Sequence, residues 1–376
     1  MLYFLRELSS IWGPFRLTGS HLMLICIGTF LGGGLVWHFL PKLWDMLPRD
    51  RGKSLAPGGE ASKGTPTGAG LWIAALLLPV LLLVLPWRIA FSPQWGVVGC
   101  LALAMWTGYA DDRSTAEWSG LKKGIFDLVI AILTVGVLLG NPNITQMWLP
   151  FFKGTFTVPL WLYFPCAVAL LFLAINATNC SDGVDGLAGT LTMMSLFALT
   201  VFLYAVIGYE PLSRYFLVPH KEDGALWAIL MATVAGGVAG YLWYNVEGLP
   251  NIWPTRVFMG DAGSRPLGLL VGVAVLVSGN PFLLLVVSPI VLLNGGTGLV
   301  KVAILKLMRR LGMDIRKPEE GRDAHPVVRT LHRVQFPFHD HCKKNLRWSK
   351  AQILMRFMLL QGFLMPILFL ILLKVR

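Results

Sequence analysis

Charge is scarce in this sequence: only 14% of its 376 residues are Asp, Glu, Lys or Arg, against about a quarter in soluble domains. That deficit excludes an ordinary soluble enzyme. With 55% hydrophobic residues and a mean hydropathy of +0.64 it also excludes intrinsic disorder. Acidic residues are scarcer still, 20 against 32 Lys and Arg. Cysteine is sparse too. The five thiols, Cys26, Cys100, Cys166, Cys180 and Cys342, are an odd number, widely scattered and without a CxxC pair. They support neither a disulfide framework nor a zinc ribbon. No small-residue cleavage site follows the first apolar run, which therefore reads as a first membrane span rather than a signal peptide.

Long apolar runs are what the sequence has in quantity. A helix needs about 20 apolar residues to cross the hydrocarbon core. Runs near that length occur at 20–40, 69–87, 95–110, 124–140, 159–177, 184–207, 225–244, 266–279, 281–305 and 351–374. They predict an all-α polytopic membrane protein with about ten transmembrane helices in a single domain over 1–376. Residues 1–19, with Trp12, Phe15 and Arg16, read as an interfacial N-terminal helix.

Ten spans place both termini on one side. The loops 41–68, 111–123, 178–183, 245–265 and 306–350 hold 22 of the 32 Lys and Arg residues. Lys and Arg collect on the cytoplasmic side, so these loops are assigned there and both termini become extracytoplasmic. The net charge of +12 then belongs to a bilayer surface, much of it to the long basic loop 306–350, and no nucleic acid is implied. On the outer side, 141–159 reads as a short hairpin. The small residues Gly236, Gly237 and Gly240 mark a helix face suited to packing or to a homodimer.

The remaining polar chemistry falls in four patches at the cytoplasmic span ends. They are Asp111-Asp112; NATNCSDGVDGLAG from Asn176 to Gly189; VFMGDAGS from Val257 to Ser264; and PFHDHCKK from Pro337 to Lys344. Ionisable groups at membrane depth are expensive and are functional by default. Asp182 and Asp185 are three apart and would share a face on a helix, and a helix N-terminus beside them would favour phosphate. Five carboxylates at one level, if they converge, need cations, and Mg²⁺ suits oxygen ligands and substrate phosphates. Taken singly, the Asp pair is commonly just a solvated cap and GDAGS a turn, and HDHC offers metal ligands but lacks a strong zinc spacing. A secondary transporter is the reading from another class. Its sites lie near the bilayer midplane, whereas these carboxylates sit at span ends.

At these residues the chain resembles the polyprenyl-phosphate N-acetylhexosamine-1-phosphate transferases, and most of all their phospho-N-acetylmuramoyl-pentapeptide branch. GTPTGAG (Gly64 to Gly70), Asp111-Asp112, NATNCSDGVDGLAG, NIWPTRVFMGDAGS and PFHDH match the family's motifs in order along nearly the whole chain. The resemblance implies transfer of phospho-MurNAc-pentapeptide from UDP-MurNAc-pentapeptide to undecaprenyl phosphate, giving lipid I and UMP. It implies Mg²⁺ as cofactor and an active site on the inner face of the bacterial cytoplasmic membrane. Carried over, Asp261 is the Mg²⁺ ligand, and Asp111 and Asp112 lie at the lipid phosphate. Asn179, Asp182 and Asp185 line the nucleotide–diphosphate site, with Lys63, Thr67 and His341 as further substrate contacts. His339 is the essential loop histidine. A branch transferring GlcNAc-1-phosphate is the nearest alternative, and GTPT together with PFHDH and Trp348-Ser349 favours the pentapeptide branch.

The chain also departs from the family pattern. Thr115 stands where the family commonly has Lys, and Lys122 or Lys123 is left as the replacement. Lys63 directly precedes Gly64 instead of standing two positions ahead. Spacing selects Asn251 as the uracil-side residue, whereas local context selects Asn245. Asp340 replaces the middle histidine of the loop triplet.

Overall fold

Apolar segments in lipid must satisfy their backbone groups internally, which restricts them to helices or closed barrels. Helices are what the computed structural model of this chain shows, over residues 1–50, 63–86, 92–116, 118–150, 152, 154–246, 257–315 and 325–374. Short 3-10 helices at Leu2–Ser10 and Gly13–Gly19 lead into α1 (His21–Leu43), α2 (Gly70–Val84), α3 (Pro93–Arg113) and α4 (Gly120–Leu138). A hairpin of β1 (Gln146–Met147) and β2 (Phe156–Thr157) follows, paired antiparallel. Then come α5 (Leu160–Ser181), α6 (Leu187–Val201) with a π-helical extension at Phe202–Ile207, α7 (Glu210–Tyr215), α8 (Gly224–Asn245) and α9 (Asp261–Ser278). The chain ends with α10 (Leu283–Val287), α11 (Pro289–Val291), a π-helical turn at Leu292–Gly296, α12 (Thr297–Arg310), α13 (Pro326–Arg333), α14 (Phe338–Lys344) and α15 (Lys350–Lys374).

Each of the ten apolar stretches carries helix. Among the described residues, seven helices are long and apolar enough to cross a membrane: His21–Met46, Leu160–Ser181, Leu187–Ile207, Gly224–Asn245, Asp261–Ser278, Pro289–Arg310 and Lys350–Lys374. Helix α2, with 15 residues, is a shorter apolar helix. The stretch 281–305 is not one continuous helix. It breaks between Ser288 and Pro289, where the proline lacks the N–H a continuous helix needs, and passes through the π-helical turn before α12. Asp182 and Asp185 also differ from expectation. They lie in the turn joining α5 to α6, not on a shared helix face: α5 ends at Ser181, Asp182 (φ −84°, ψ 46°) already leaves helical geometry, and Gly186 (φ +76°) caps the start of α6.

Helices α8 and α9 are almost wholly buried and the others surround them. Small residues set how closely α1 approaches α8: a Cβ on Gly236 would overlap the Thr29 backbone, and one on Gly240 the Gly33 carbonyl. Gly237 is covered by Leu77 of α2. The Gly236–Gly240 face is therefore filled from within the chain and is not a surface for a second copy. The far end is closed by the hairpin, where Trp148 donates its backbone N–H to Gly279 O at 3.0 Å and its indole N–H to Ser278 O at 2.8 Å. The polar patches gather at the opposite end.

This packing separates two otherwise similar glycines of the α1–α8 pair. Gly236→Ala should destabilise the detergent-solubilised protein by about 1–3 kcal/mol, the usual cost of overpacking. Gly34, where a Cβ meets nothing within 4 Å, should tolerate alanine without loss. Thermal unfolding of the two variants side by side checks this, and equal shifts would contradict the packing described.

Candidate active site

The site is built on the first turn of α9. A helix begins with N–H groups that have no partner inside the helix, and here the partner comes from another element. The Asp112 carboxylate, in the last turn of α3, accepts the N–H of Asp261 at 3.1 Å and of Ala262 at 3.0 Å. Two local features allow this. Gly260 has φ +65° and a Cβ there would overlap the Asp112 carboxylate, so only glycine fits. Gly108, one turn back on α3, lets that helix lie directly on the backbone of Asp261.

The GTPTGAG segment fixes the strand-like approach to α9. Phe258 N–H donates to Pro66 O at 2.8 Å, Ala69 N–H to Phe258 O at 3.0 Å and Gly70 N–H to Met259 O at 3.3 Å. Thr67 is thereby carried beside the site, half-buried. Lys63 lies exposed on the turn before it.

The Asp261 side chain is the meeting point. Its Oδ2 receives the Lys123 ammonium at 3.0 Å and an Arg265 Nη2 at 3.0 Å, and its Oδ1 accepts Asn179 Nδ2 at 2.9 Å. The Asn179 amide also reaches Ser264 Oγ at 2.9 Å. Lys123 bridges onward to Asp111 Oδ2 at 2.5 Å, while Asp111 Oδ1 accepts the Trp118 N–H at 2.8 Å. Arg265 is 1% exposed and its Nη1 lies 3.6 Å from Asp127 Oδ1, itself buried. Four carboxylates (Asp111, Asp112, Asp127, Asp261) thus share two cations, an imbalance of two negative charges in a poorly solvated place. Between the two lysines left open by Thr115, the geometry selects Lys123; Lys122 instead lies 3.6 Å above the Trp118 ring.

A second cluster adjoins the first along the α5–α6 turn. His339, buried in α14, is held by Asn294, whose Oδ1 lies 2.8 Å from the His339 N–H and 3.1 Å from Nδ1. An amide oxygen only accepts, so Nδ1 carries the proton. The ring packs on Gly183, where a Cβ would overlap it. Lys343 donates to Gly183 O at 2.8 Å, and Lys350 pairs with Asp185 at 3.1 Å. Burial holds the Lys343 ammonium below the ordinary lysine range, and the neighbouring Lys350 adds to this against the opposing pull of Asp340. His341 faces away from these groups, stacked on Phe338 with its Nδ1 near the Gln335 N–H. Asp340 lies 3.6 Å from His339 Nε2 and 3.8 Å from Lys343.

Asn245 ties the two clusters together. Its Oδ1 accepts the Gly186 N–H at 2.5 Å and its Nδ2 donates to Val257 O at 2.8 Å, which commits its amide to the backbone. Asn251 lies outside the described residues.

Sequence reading missed Arg265 and Asn294 as members of the site. The signal for Arg265 was its spacing of four from Asp261, the contact distance on a helix. The signal for Asn294 was an amide inside the apolar stretch 281–305.

Glycosyl transferase family 4 matches residues 94–279, which run from α3 through α9 and so contain the whole carboxylate cluster. The phospho-N-acetylmuramoyl-pentapeptide-transferase of Treponema pallidum (strain Nichols) is 41% identical over 371 residues, covering 97% of this chain and 93% of the relative. The enzyme of that name from Gemmatimonas aurantiaca is 30% identical over 387 residues, covering 96% and 94%. Its counterpart in Ruegeria pomeroyi is 30% identical over 384 residues, covering 95% of each.

Removing the cap on α9 should cost about 1–2 kcal/mol of stability, as cap losses do. Asp112→Ala is accordingly expected to lower the unfolding temperature more than Asp112→Asn, whose amide oxygen can still accept one of the two N–H groups. Thermal unfolding of both variants tests this, and the reverse order would refute Asp112 as the cap.

Proposed function

The chain belongs to the phospho-N-acetylmuramoyl-pentapeptide transferases, multi-pass membrane enzymes, and on that premise we propose that the cluster around Asp261 is where the phosphoryl group is transferred. The observation that carries this is the convergence of Asp111 and Asp261, from two helices, on one cationic position. The donor is UDP-MurNAc-pentapeptide, the acceptor undecaprenyl phosphate, and the products lipid I and UMP. The site end of the bundle faces the bacterial cytoplasm, with ten crossings and both termini outside.

The donor set suits Mg²⁺. Among the described residues no group of three or more His, Cys, Asp or Glu side chains forms a metal-binding arrangement. Mg²⁺ does not need one, since it takes one or two carboxylates and fills its octahedron with waters and substrate phosphates. The formal excess of negative charge among Asp111, Asp112, Asp127 and Asp261 favours a cation there. Asp261 and Asp111 would hold the ion, which when bound neutralises the diphosphate and the departing UMP.

The chain's own groups then have defined tasks. An oxygen of the acceptor phosphate attacks the β-phosphorus of the donor, and the bond from that phosphorus to the UMP oxygen breaks as the new one forms. A phosphate monoester is largely ionised near neutrality, so positioning and charge neutralisation carry more of the barrier than proton removal. Lys123 stands where the developing phosphoryl charge needs a cation. Asn179 keeps Asp261 oriented. Asp182 and Asp185, on the glycine-rich turn, line the nucleotide–diphosphate side. His339, with its Nδ1 proton committed to Asn294, presents Nε2 toward that turn. Lys343 and Lys350 add positive charge at the same edge.

The test is UMP release by detergent-purified protein with undecaprenyl phosphate and Mg²⁺, offered either UDP-MurNAc-pentapeptide or UDP-GlcNAc. Turnover of the pentapeptide donor alone is expected, and turnover of UDP-GlcNAc alone would overturn the assignment. Asp261→Ala should lower the rate by about 10²–10³-fold or more with the protein still folded. Near-wild-type rates at saturating Mg²⁺ would remove Asp261 from its role.

A further inference from the structure

Two cations meet Asp261 Oδ2, and they are held in different ways. Arg265 is on the same helix as Asp261, four residues on, and is 1% exposed. Its far side faces Asp127, also buried, at 3.6 Å, and its Nε and Nη1 have no hydrogen-bond partner. A guanidinium so enclosed cannot leave without stranding a buried charge. Lys123 is different. Its side chain is 25% exposed, on a flexible stem from the first turn of α4, and its ammonium sits between Asp111 and Asp261. That position, equidistant in kind between two carboxylates, is one a divalent cation would take.

We propose that Asp261 is held by one fixed and one exchangeable cation: Arg265, anchored by Asp127, orients the carboxylate permanently, while Lys123 keeps the divalent-cation place between Asp111 and Asp261 until the ion displaces it. The inference rests on the reading of Asp261 as a metal ligand. Arg265 and Asp127 are on this account positioning residues, acting through Asp261. Lys123 remains protonated throughout; on displacement its ammonium loses Asp261 and is released toward the bound phosphates. The arrangement lets a site with four carboxylates fold without metal, since the lysine pairs with two of them meanwhile.

The two parts predict effects of opposite sign. Lys123→Met keeps the length of the stem and removes the competing charge, so a divalent cation should bind more tightly. Asp127→Asn removes the anchor's charge, leaving Arg265 compensated by Asp261 alone and repelling an incoming cation, so binding should weaken. Each change is expected to be about tenfold, the scale of a partly buried ion pair. A purely structural role for these residues would weaken binding in both variants.

The experiment is a Mn²⁺ titration of detergent-purified full-length protein without substrates, following free Mn²⁺ by electron paramagnetic resonance. Tighter binding in Lys123→Met and weaker binding in Asp127→Asn is the expected result. Unchanged or weaker binding in Lys123→Met overturns the exchange, and that variant, altering a partly exposed side chain, keeps the test decisive even if Asp127→Asn fails to fold. Unchanged binding in Asp127→Asn overturns the anchor. Absence of Mn²⁺ binding in the wild type overturns the proposal and the metal role of Asp261 together. UMP release by the same wild-type sample then shows whether the transferase reading stands independently.

Discussion

Asp112 reaches from the end of α3 to the two leading N–H groups of α9, and the positions of Asp261, Ser264 and Arg265 follow from that contact because all three ride on the turn so capped. A cap supplied by the helix's own flanking residue would fix only the helix. One supplied from another helix fixes their relative position as well, and here it brings Asp111 beside Asp261. The close approach depends on glycine at positions 108 and 260, where any Cβ would enter the space of the α9 backbone or of the Asp112 carboxylate. The geometry of the centre is thus decided by backbone contact, and the charged side chains are hung on it.

Charge balance is the second constraint. Carboxylates removed from water are tolerated only when paired, and four of them here have two cations among them. The deficit leaves the cluster formally negative. The basic residues along the neighbouring edge, Lys343 and Lys350, are themselves tied to Gly183 O and Asp185. The positive groups of that edge are thus already oriented, with the negative groups set back around Asp261.

The scaffold serves this arrangement by burying its centre. Helices α8 and α9 are enclosed on nearly all sides, with α1 laid against α8 through glycines. Asn245, at the end of α8, grips both the α5–α6 turn and the strand-like segment before α9. The α5–α6 turn and the segment leading into α9 are consequently held to one another. His339 is joined to it through Asn294, an amide from the interrupted stretch after α11.

Much of this was legible in the chain itself. Apolar run length gave the helices, since a backbone in lipid has few other options, and the polar motifs named the carboxylates, Asn179 and His339 because such groups are rare in apolar surroundings. What the sequence could not decide was partnership. Lys122 and Lys123 are equivalent by spacing from Asp111-Asp112, and only packing sends one to Trp118 and the other to an aspartate 138 residues away. Asn245 carries the same amide whether it reads a ligand or holds a backbone, and the fold commits it to Gly186 and Val257. Asp182 and Asp185 have helical spacing but lie in a turn, because α5 ends at Ser181 and α6 begins only after Gly186. Arg265 counted from sequence as one more basic residue of a cytoplasmic loop, and the enclosure of α9 made it a buried guanidinium between two aspartates. Local composition therefore determined the elements and the chemistry available to them. Long-range contact determined which charge meets which, since pairing depends on distances that a linear pattern does not contain.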